Sequence, residues 1–253
     1  MFGPLTRFGA ISAARRVVPR PASPRLAAAV GGGVVLAIGV RGILAADVGV
    51  APMDVFLVGA SEQTGLGIGI VAVVVQLSLL CIATSLGRPP RTATWIFTLS
   101  SGATLELTEG WFDSAGGLAG SVAAWAVGFV LVVTAIAILV VGTDAGGSFE
   151  LLSQAAADRG LPPVPVRTGL EISFVVVGVA LGGPIGPGTA AFAVAVGPAV
   201  EVACRTLGAV ASPEPRQRTV AGGVPHSADA PPPPGPPRDR AARRGVHVGR
   251  RRR

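Results

Sequence analysis

Apolar runs of about 20 residues constrain the fold of this chain more than any other feature. Such a run is long enough to cross the hydrocarbon core of a bilayer as an α-helix. Half of the 253 residues are hydrophobic, mean hydropathy is +0.61 and only 14% are charged, whereas soluble domains carry about 25% charged residues. The sequence therefore predicts an all-α integral membrane protein.

Six runs are predicted to span the membrane. The third is short and rich in Thr and Ser, so we expect it to lie among the other helices rather than against lipid. A basic stretch before an apolar run also describes a signal peptide, but the first run lacks a clear small-residue cleavage site and more spans follow it. The predicted spans are 27–46, 66–86, 93–108, 118–142, 164–181 and 188–205.

Two polar stretches, 47–65 and 143–163, are too broken to span. The first contains "MDVFLVGA", which predicts a short helix that lies at the interface or re-enters the membrane. The second stretch occupies the matching place after the fourth span. Discontinuous segments at corresponding places in two halves of a chain are the best sequence indication of a transport site.

One phrase occurs twice. "LGRPPRTATWIFTLSSGATLE" at 86–106 and "LGGPIGPGTAAFAVAVGPAVE" at 181–201 share Leu, Gly, Pro, Thr, Phe, Gly and Glu in register, 95 residues apart. The chain is therefore predicted to consist of two related halves with three spans each. Because three is odd, the second half must enter the membrane inverted relative to the first.

The arginines agree with this inverted arrangement. Positive residues favour the cytoplasmic side, and the basic segment 1–26 places the N-terminus there. Arg88 and Arg91 then lie in an inner loop, Arg159 lies in an inner connection, and the arginine-rich tail is also inside. Both termini are thus expected in the cytoplasm of a bacterial cell, with the chain in the inner membrane. A basic tail can also suggest nucleic acid, but the topological explanation is favoured, and no nucleic-acid partner is predicted.

The predicted organisation follows from these patterns. It comprises a basic disordered leader (1–26), a first three-helix repeat (27–108), an outer linker (109–117), a second three-helix repeat (118–206), and a disordered Pro/Arg-rich cytoplasmic tail (207–253).

The chain resembles the YczE/YitT-type bacterial membrane proteins over about residues 30–205. The resemblance rests on "ADVGVAPMDV", "TGLGIGIVAVVVQ" and "LGGPIGPGTAAFAVAVGPAVE". The second-half counterpart of the first motif, "DAGGSFELLSQAAADRGL", lacks a residue equivalent to Pro52, so the match is weaker there. The resemblance implies a membrane architecture and little chemistry.

Acidic and amide side chains inside apolar runs are the candidate site residues, because a charge at mid-membrane costs about 2.5–3.5 kcal/mol on insertion scales. Gln76 and Glu171 are repeat mates and are expected near mid-depth, facing the bundle interior. The structural alternative places Glu171 near the inner interface, paired with Arg167 one turn back. Glu106 and Glu201, also mates, are expected to gate or cap opposite faces, or to be ordinary interfacial carboxylates.

Four further acids flank the broken segments and are either pathway residues or ordinary loop acids. They are Asp47, Asp54, Asp144 and Glu150.

No enzyme motif, metal-binding spacing or cofactor motif is found, so no catalytic residue, metal or cofactor is predicted, and a membrane hydrolase is a distant alternative. The sequence favours a small transporter of an unknown solute or ion working by alternating access. The alternative is a membrane scaffold or assembly partner. We expect lipid to surround the protein, and the sequence is compatible with a homo-oligomer.

Overall fold

The computed structural model describes residues 22–112, 116–143 and 145–211, and these residues form eight α-helices and no strand. The helices are α1 (Ala22–Ala46), α2 (Pro52–Thr64), α3 (Ile68–Ser85), α4 (Thr92–Leu107), α5 (Gly117–Thr143), α6 (Ser148–Ala157), α7 (Pro163–Ala180) and α8 (Pro187–Ala211).

The predicted all-α class is confirmed, and short helices α2 and α6 occupy the two broken stretches. The first and last helices are longer than the predicted spans. Helix α1 begins at Ala22, inside the predicted leader, and α8 continues to Ala211, inside the predicted tail. Helix α8 also contains Pro198, which has no N–H to donate to the preceding turn. The leader up to residue 21 and the tail from residue 212 lie outside the described residues.

Four of the helices are long and apolar enough to cross a membrane, by length and composition: α1, α3, α5 and α8 up to Gly208. This supports a helical membrane protein. Helix α4 has 16 residues and buries three of its hydroxyl side chains, those of Thr94, Thr98 and Ser101.

Glycines with positive φ end the helices at corresponding places. Gly65 and Gly160 have φ of 70° and 79°, and Gly87 and Gly182 have φ of 85° and 92°. Side chains disfavour this left-handed conformation, which glycine adopts readily. The two members of each pair are 95 residues apart, so the spacing of the repeated phrase reappears in the backbone.

Helices α1 and α5 pack against each other in antiparallel orientation. A Cβ added at Gly39 would lie 2.8 Å from the Gly128 carbonyl oxygen, and one added at Gly142 would lie 2.8 Å from the Cβ of Ala28. Small residues permit this close approach of two backbones. Around the pair, α4 packs on α1, α8 on α5, α2 on α7 and α6 on α3.

Hydrogen bonds and ion pairs define two ends of the bundle. At the first, which we call the Arg88 end, Arg88 pairs with Asp158 and Arg159 donates to the Leu86 carbonyl at 2.7 Å. At the second, which we call the Gly186 end, the turn after α1 meets the loop before α8. There the N–H of Gly188 donates to the Val48 carbonyl at 2.7 Å.

Candidate functional site

A cavity of about 870 Å³ lies between the helices. Its lining includes exposed residues of the Arg88 end, such as Arg91 and Arg205, and extends to the first turn of α2, where Pro52 and Asp54 are buried. The walls between are largely apolar, with side chains such as Leu36 from α1, Val132 and Leu139 from α5, and Phe192 from α8. The cavity is therefore reached from the Arg88 end.

The first turns of both short helices line this one cavity. Helix α2 contributes residues 52–54 and α6 contributes residues 148–150. Each carries one acid in its first turn, Asp54 in α2 and Glu150 in α6. The N-terminal end of a helix carries partial positive charge and unsatisfied N–H groups. Each short helix therefore brings polar backbone groups and one carboxyl group to the wall of the cavity.

Gln76 and Glu171, the repeat mates, also line the cavity. Gln76 is 8% exposed, and its Oε1 lies 3.5 Å from the Thr98 hydroxyl, at the limit for a hydrogen bond. Glu171 accepts a hydrogen bond from Arg167 Nε at 3.0 Å, with its side chain 25% exposed. The Thr98 hydroxyl of α4 thus reaches Gln76, whereas Glu171 takes its partner from its own helix, which is the Arg167 pairing of the structural alternative.

The acid mates Glu106 and Glu201 are in different surroundings. Glu106 accepts hydrogen bonds from the N–H groups of Gly69 and Ile70, at 3.1 and 3.3 Å, and so caps the start of α3. Glu201 lines the cavity, with its side chain 12% exposed, and pairs with Arg205 one turn later. Only one of the two mates therefore acts as a cap in this structure.

The remaining candidate residues lie in different surroundings. Asp54 is 4% exposed and lines the cavity, whereas Glu150 lines it while accepting a hydrogen bond from Gln154 at 2.8 Å. Asp47 is exposed at the turn that ends α1, with φ of 53°, and does not line the cavity. Asp144 lies outside the described residues. Among the described residues, no group of three His, Cys, Asp or Glu is placed to hold a metal ion.

Sequence reasoning missed the ion pair beside the cavity mouth. Arg88 donates two hydrogen bonds to the carboxylate of Asp158, one of them 2.6 Å long. The hydrogen bond from Arg88 lowers the pKa of Asp158, and the same bond raises the pKa of Arg88. The sequence assigns both residues to loops on the inner side of the membrane. That common location was the only feature of the sequence from which a pair 70 residues apart could have been predicted.

Two threonines of the repeated phrase also have roles that the sequence did not assign. The Thr94 hydroxyl donates to the Gly146 carbonyl at 3.0 Å, which ties the start of α4 to the turn before α6. Thr189, its mate, accepts from the Gly186 N–H at 3.3 Å at the start of α8, where α8 meets the turn before α2. The feature of the sequence that could have indicated these roles is the occurrence of threonine at both positions, 95 residues apart.

The chain matches the sequence model of a protein family. No curated protein and no solved structure matches the chain. The sequence model of a family of unknown function, DUF6198, matches residues 23–205, which include all eight helices except the first residue of α1 and the last residues of α8. This chain belongs to that family of unknown function.

Proposed function

We propose that this protein is a small inner-membrane transporter that works by alternating access between two inverted repeats, each with three spans and one short broken helix. The main support for this proposal is the cavity of about 870 Å³. It is lined by the first turns of both short helices and by Gln76 and Glu171. A scaffold whose acids only set helix packing needs no such cavity, and a solid core would have favoured that alternative.

Correspondence between the halves supports the inverted repeat. In the proposed repeat, α1 to α4 correspond in order to α5 to α8. The contact between α1 and α4 then corresponds to that between α5 and α8, and the contact between α2 and α7 corresponds to that between α6 and α3. All four contacts are present. The same correspondence relates the glycines with positive φ. The antiparallel packing of α1 on α5 is what inversion of one half requires.

A difference between the halves supports alternation. At the Gly186 end, α3 packs on α4 so closely that a Cβ at Gly69 would collide with the Gly102 carbonyl. The mate of Gly102 is Gly197, which instead lines the cavity, and in the described residues α7 and α8 share no comparable interface. The α3–α4 pair would close one end while the α7–α8 pair leaves the other open. Exchanging these arrangements would reverse the accessible side.

The direction of opening follows from charge. Arg88, Arg91 and Arg159 lie in the loops of the Arg88 end, and Arg205 lines the cavity mouth. Since cytoplasmic loops are enriched in Arg, we assign this end and both termini to the cytoplasm. The open cavity is then the inward-facing form of the transporter. The similarity to YczE/YitT-type proteins is compatible with this architecture, and that relationship belongs to the proposal.

The test is accessibility of the cavity from both sides of the membrane. Leu36 lies on α1 and lines the cavity. We would place Leu36→Cys in a chain whose Cys81 and Cys204 are replaced by Ser, and apply a membrane-impermeant maleimide to right-side-out and inverted vesicles. Alternating access predicts labelling of this cysteine from both sides.

A matched control is available on the same helix. Val30 is 46% exposed and does not line the cavity, so Val30→Cys should resist the polar reagent in both preparations if its face contacts lipid. Labelling of Leu36→Cys from the cytoplasmic side alone would indicate a fixed vestibule, which contradicts transport and supports the scaffold alternative.

A further inference from the structure

Asp54 differs from every other acid that lines the cavity. The others have partners: Glu171 has Arg167, Glu201 has Arg205 and Glu150 has Gln154. Asp54 is 4% exposed, and its carboxylate forms no ion pair or hydrogen bond with any residue that the structure describes. It is thus a buried carboxyl group that lines an open cavity without a partner.

The helices packed against Asp54 offer no compensating positive side chain, and the other arginines of the cavity, Arg88 and Arg91, lie in the loop at its mouth, where Arg88 pairs with Asp158. Helix α2 packs against α3, α7 and α8. Helix α3 carries no charged residue and contributes only the amide of Gln76 to the cavity. The charged residues that α7 and α8 bring to the cavity are the Arg167–Glu171 and Arg205–Glu201 pairs, each internally matched. Glu150 of α6 adds a further negative group to the same cavity.

The helix itself stabilises an Asp54 carboxylate only weakly. Asp54 is the third residue of α2, where the partial positive charge of a helix start contributes about 0.3–1 kcal/mol and at most about 2 kcal/mol. Removing a carboxylate from water costs several kcal/mol when no partner replaces the water. A role as an ordinary helix-start acid therefore leaves part of the cost uncompensated, and a proton or a bound cation would offset the remainder.

The rest of the cavity indicates the kind of cation. Its walls carry the apolar side chains of α1, α5 and α8 beside a single unpartnered acid. A cavity of about 870 Å³ falls within the range of roughly 300–1,000 Å³ that accommodates drug-sized ligands. Such a lining suits a ligand with an apolar body and one positive charge better than a hydrated metal ion.

Building on the transport function above, we propose that the cavity binds a hydrophobic monovalent cation whose charge pairs with Asp54, in competition with a proton for the same carboxylate. When the carboxyl group is protonated, binding of the cation releases that proton to the cavity water. When the cation leaves, the carboxylate takes up a proton again. Each cycle then exchanges one cation for one proton, with no net change of charge at the site.

Binding of tetraphenylphosphonium to the purified full-length chain in detergent tests this, measured by equilibrium dialysis. The charge of this probe does not titrate, so any pH dependence arises from the protein. Asp54→Asn should weaken binding by about tenfold or more, which corresponds to about 1.4 kcal/mol. Glu62→Gln is the matched control, since it removes one charge from an exposed position of the same helix, and it should leave binding unchanged. Tetraphenylborate, of the same shape and opposite charge, should not bind at this site.

A second measurement needs no variant. In acidified, weakly buffered solution, binding of tetraphenylphosphonium to the unaltered protein should release protons, and acidification should weaken binding. Equal binding by folded Asp54→Asn, saturable binding of tetraphenylborate when it is added alone, or binding of the cation without proton release would each overturn the inference. The transport proposal fails separately, through one-sided labelling of Leu36→Cys, so the two failures are distinguishable.

Discussion

The carboxylate of Glu106 on α4 accepts a hydrogen bond from the backbone N–H of Gly69 on α3, at 3.1 Å. A second bond, from Ile70 at 3.3 Å, completes a cap on the start of α3. The repeat mate Glu201 makes no such cap and pairs with Arg205 on its own helix. Corresponding residues in the two halves therefore hold different contacts in this structure.

Removing the two mates should have unequal effects on stability. Glu106→Ala should cost about 0.5–2 kcal/mol, the usual range for loss of a helix cap. Glu201→Ala should cost about 0.3–0.5 kcal/mol, the range for a pair one turn apart on a helix. Thermal unfolding in detergent measures both, with Glu106→Gln as the variant that keeps an acceptor oxygen. A loss for Glu106→Ala no larger than that for Glu201→Ala would contradict the unequal roles of the two residues.

Adding one methyl group at the crossing of α1 and α5 should destabilise the bundle. A Cβ at Gly39 would lie 2.8 Å from the Gly128 carbonyl oxygen, so the helices must separate in Gly39→Ala. We expect a loss of about 1–3 kcal/mol, as for overpacked cores, read from denaturant unfolding. Gly31→Ala is the control on the same helix, because a Cβ there meets no atom within 4 Å. A Gly39→Ala protein as stable as Gly31→Ala would refute the close crossing.

The Arg88–Asp158 pair should stabilise the protein in a pH-dependent way. The hydrogen bond from Arg88 lowers the pKa of Asp158 in the folded state. A carboxyl group with a lowered pKa adds stability above its unfolded pKa and loses that contribution as the pH falls through its folded value. The difference in melting temperature between the unaltered protein and Asp158→Asn should thus shrink on acidification. It should also shrink in high salt, because both side chains are exposed. A constant difference would contradict the pairing.

Topology can be checked with reporter fusions. Six spans and a cytoplasmic N-terminus predict that a reporter fused at residue 114 lies outside the cell and one fused after Pro213 lies inside. Paired reporters, alkaline phosphatase for the outer side and a fluorescent protein for the inner side, give opposite signals at each position. An outer location for the fusion after Pro213 would contradict the six-span arrangement.

Most of the helices could be predicted from hydrophobicity alone, because apolar runs and glycine turns are local features. The sixth predicted span, 188–205, is shorter than the helix that contains it, since α8 covers Pro187–Ala211. In the structure, Glu201 and Arg205 pair one turn apart, and such pairs favour helix continuation, so α8 extends to Ala211.

The site was predictable in its residue types but not in its contacts. Gln76 and Glu171 stand out because polar groups in apolar runs are costly, and both line the cavity. Which way a helix turns a side chain depends on packing against other helices, which no local pattern encodes. The cap formed by Glu106 joins residues 37 positions apart. Asp54, the buried acid, and Asp47, the exposed one, look alike in sequence, and only the fold separates them.

Distances across the two ends of the bundle test alternating access most directly. In a chain whose native cysteines are replaced by Ser, spin labels would be placed on two pairs of exposed positions. Ile70 and Leu107 report on the α3–α4 pair at the Gly186 end, and Thr168 and Val202 report on the α7–α8 pair at the Arg88 end.

Pulsed electron paramagnetic resonance on protein in lipid then gives both distance distributions. We predict two distances for each pair, and we predict that cross-linking the α7–α8 pair shifts the α3–α4 pair to its longer distance. A single unchanging distance at each end, with or without the cross-link, would contradict alternating access and leave the cavity a fixed feature of a membrane scaffold.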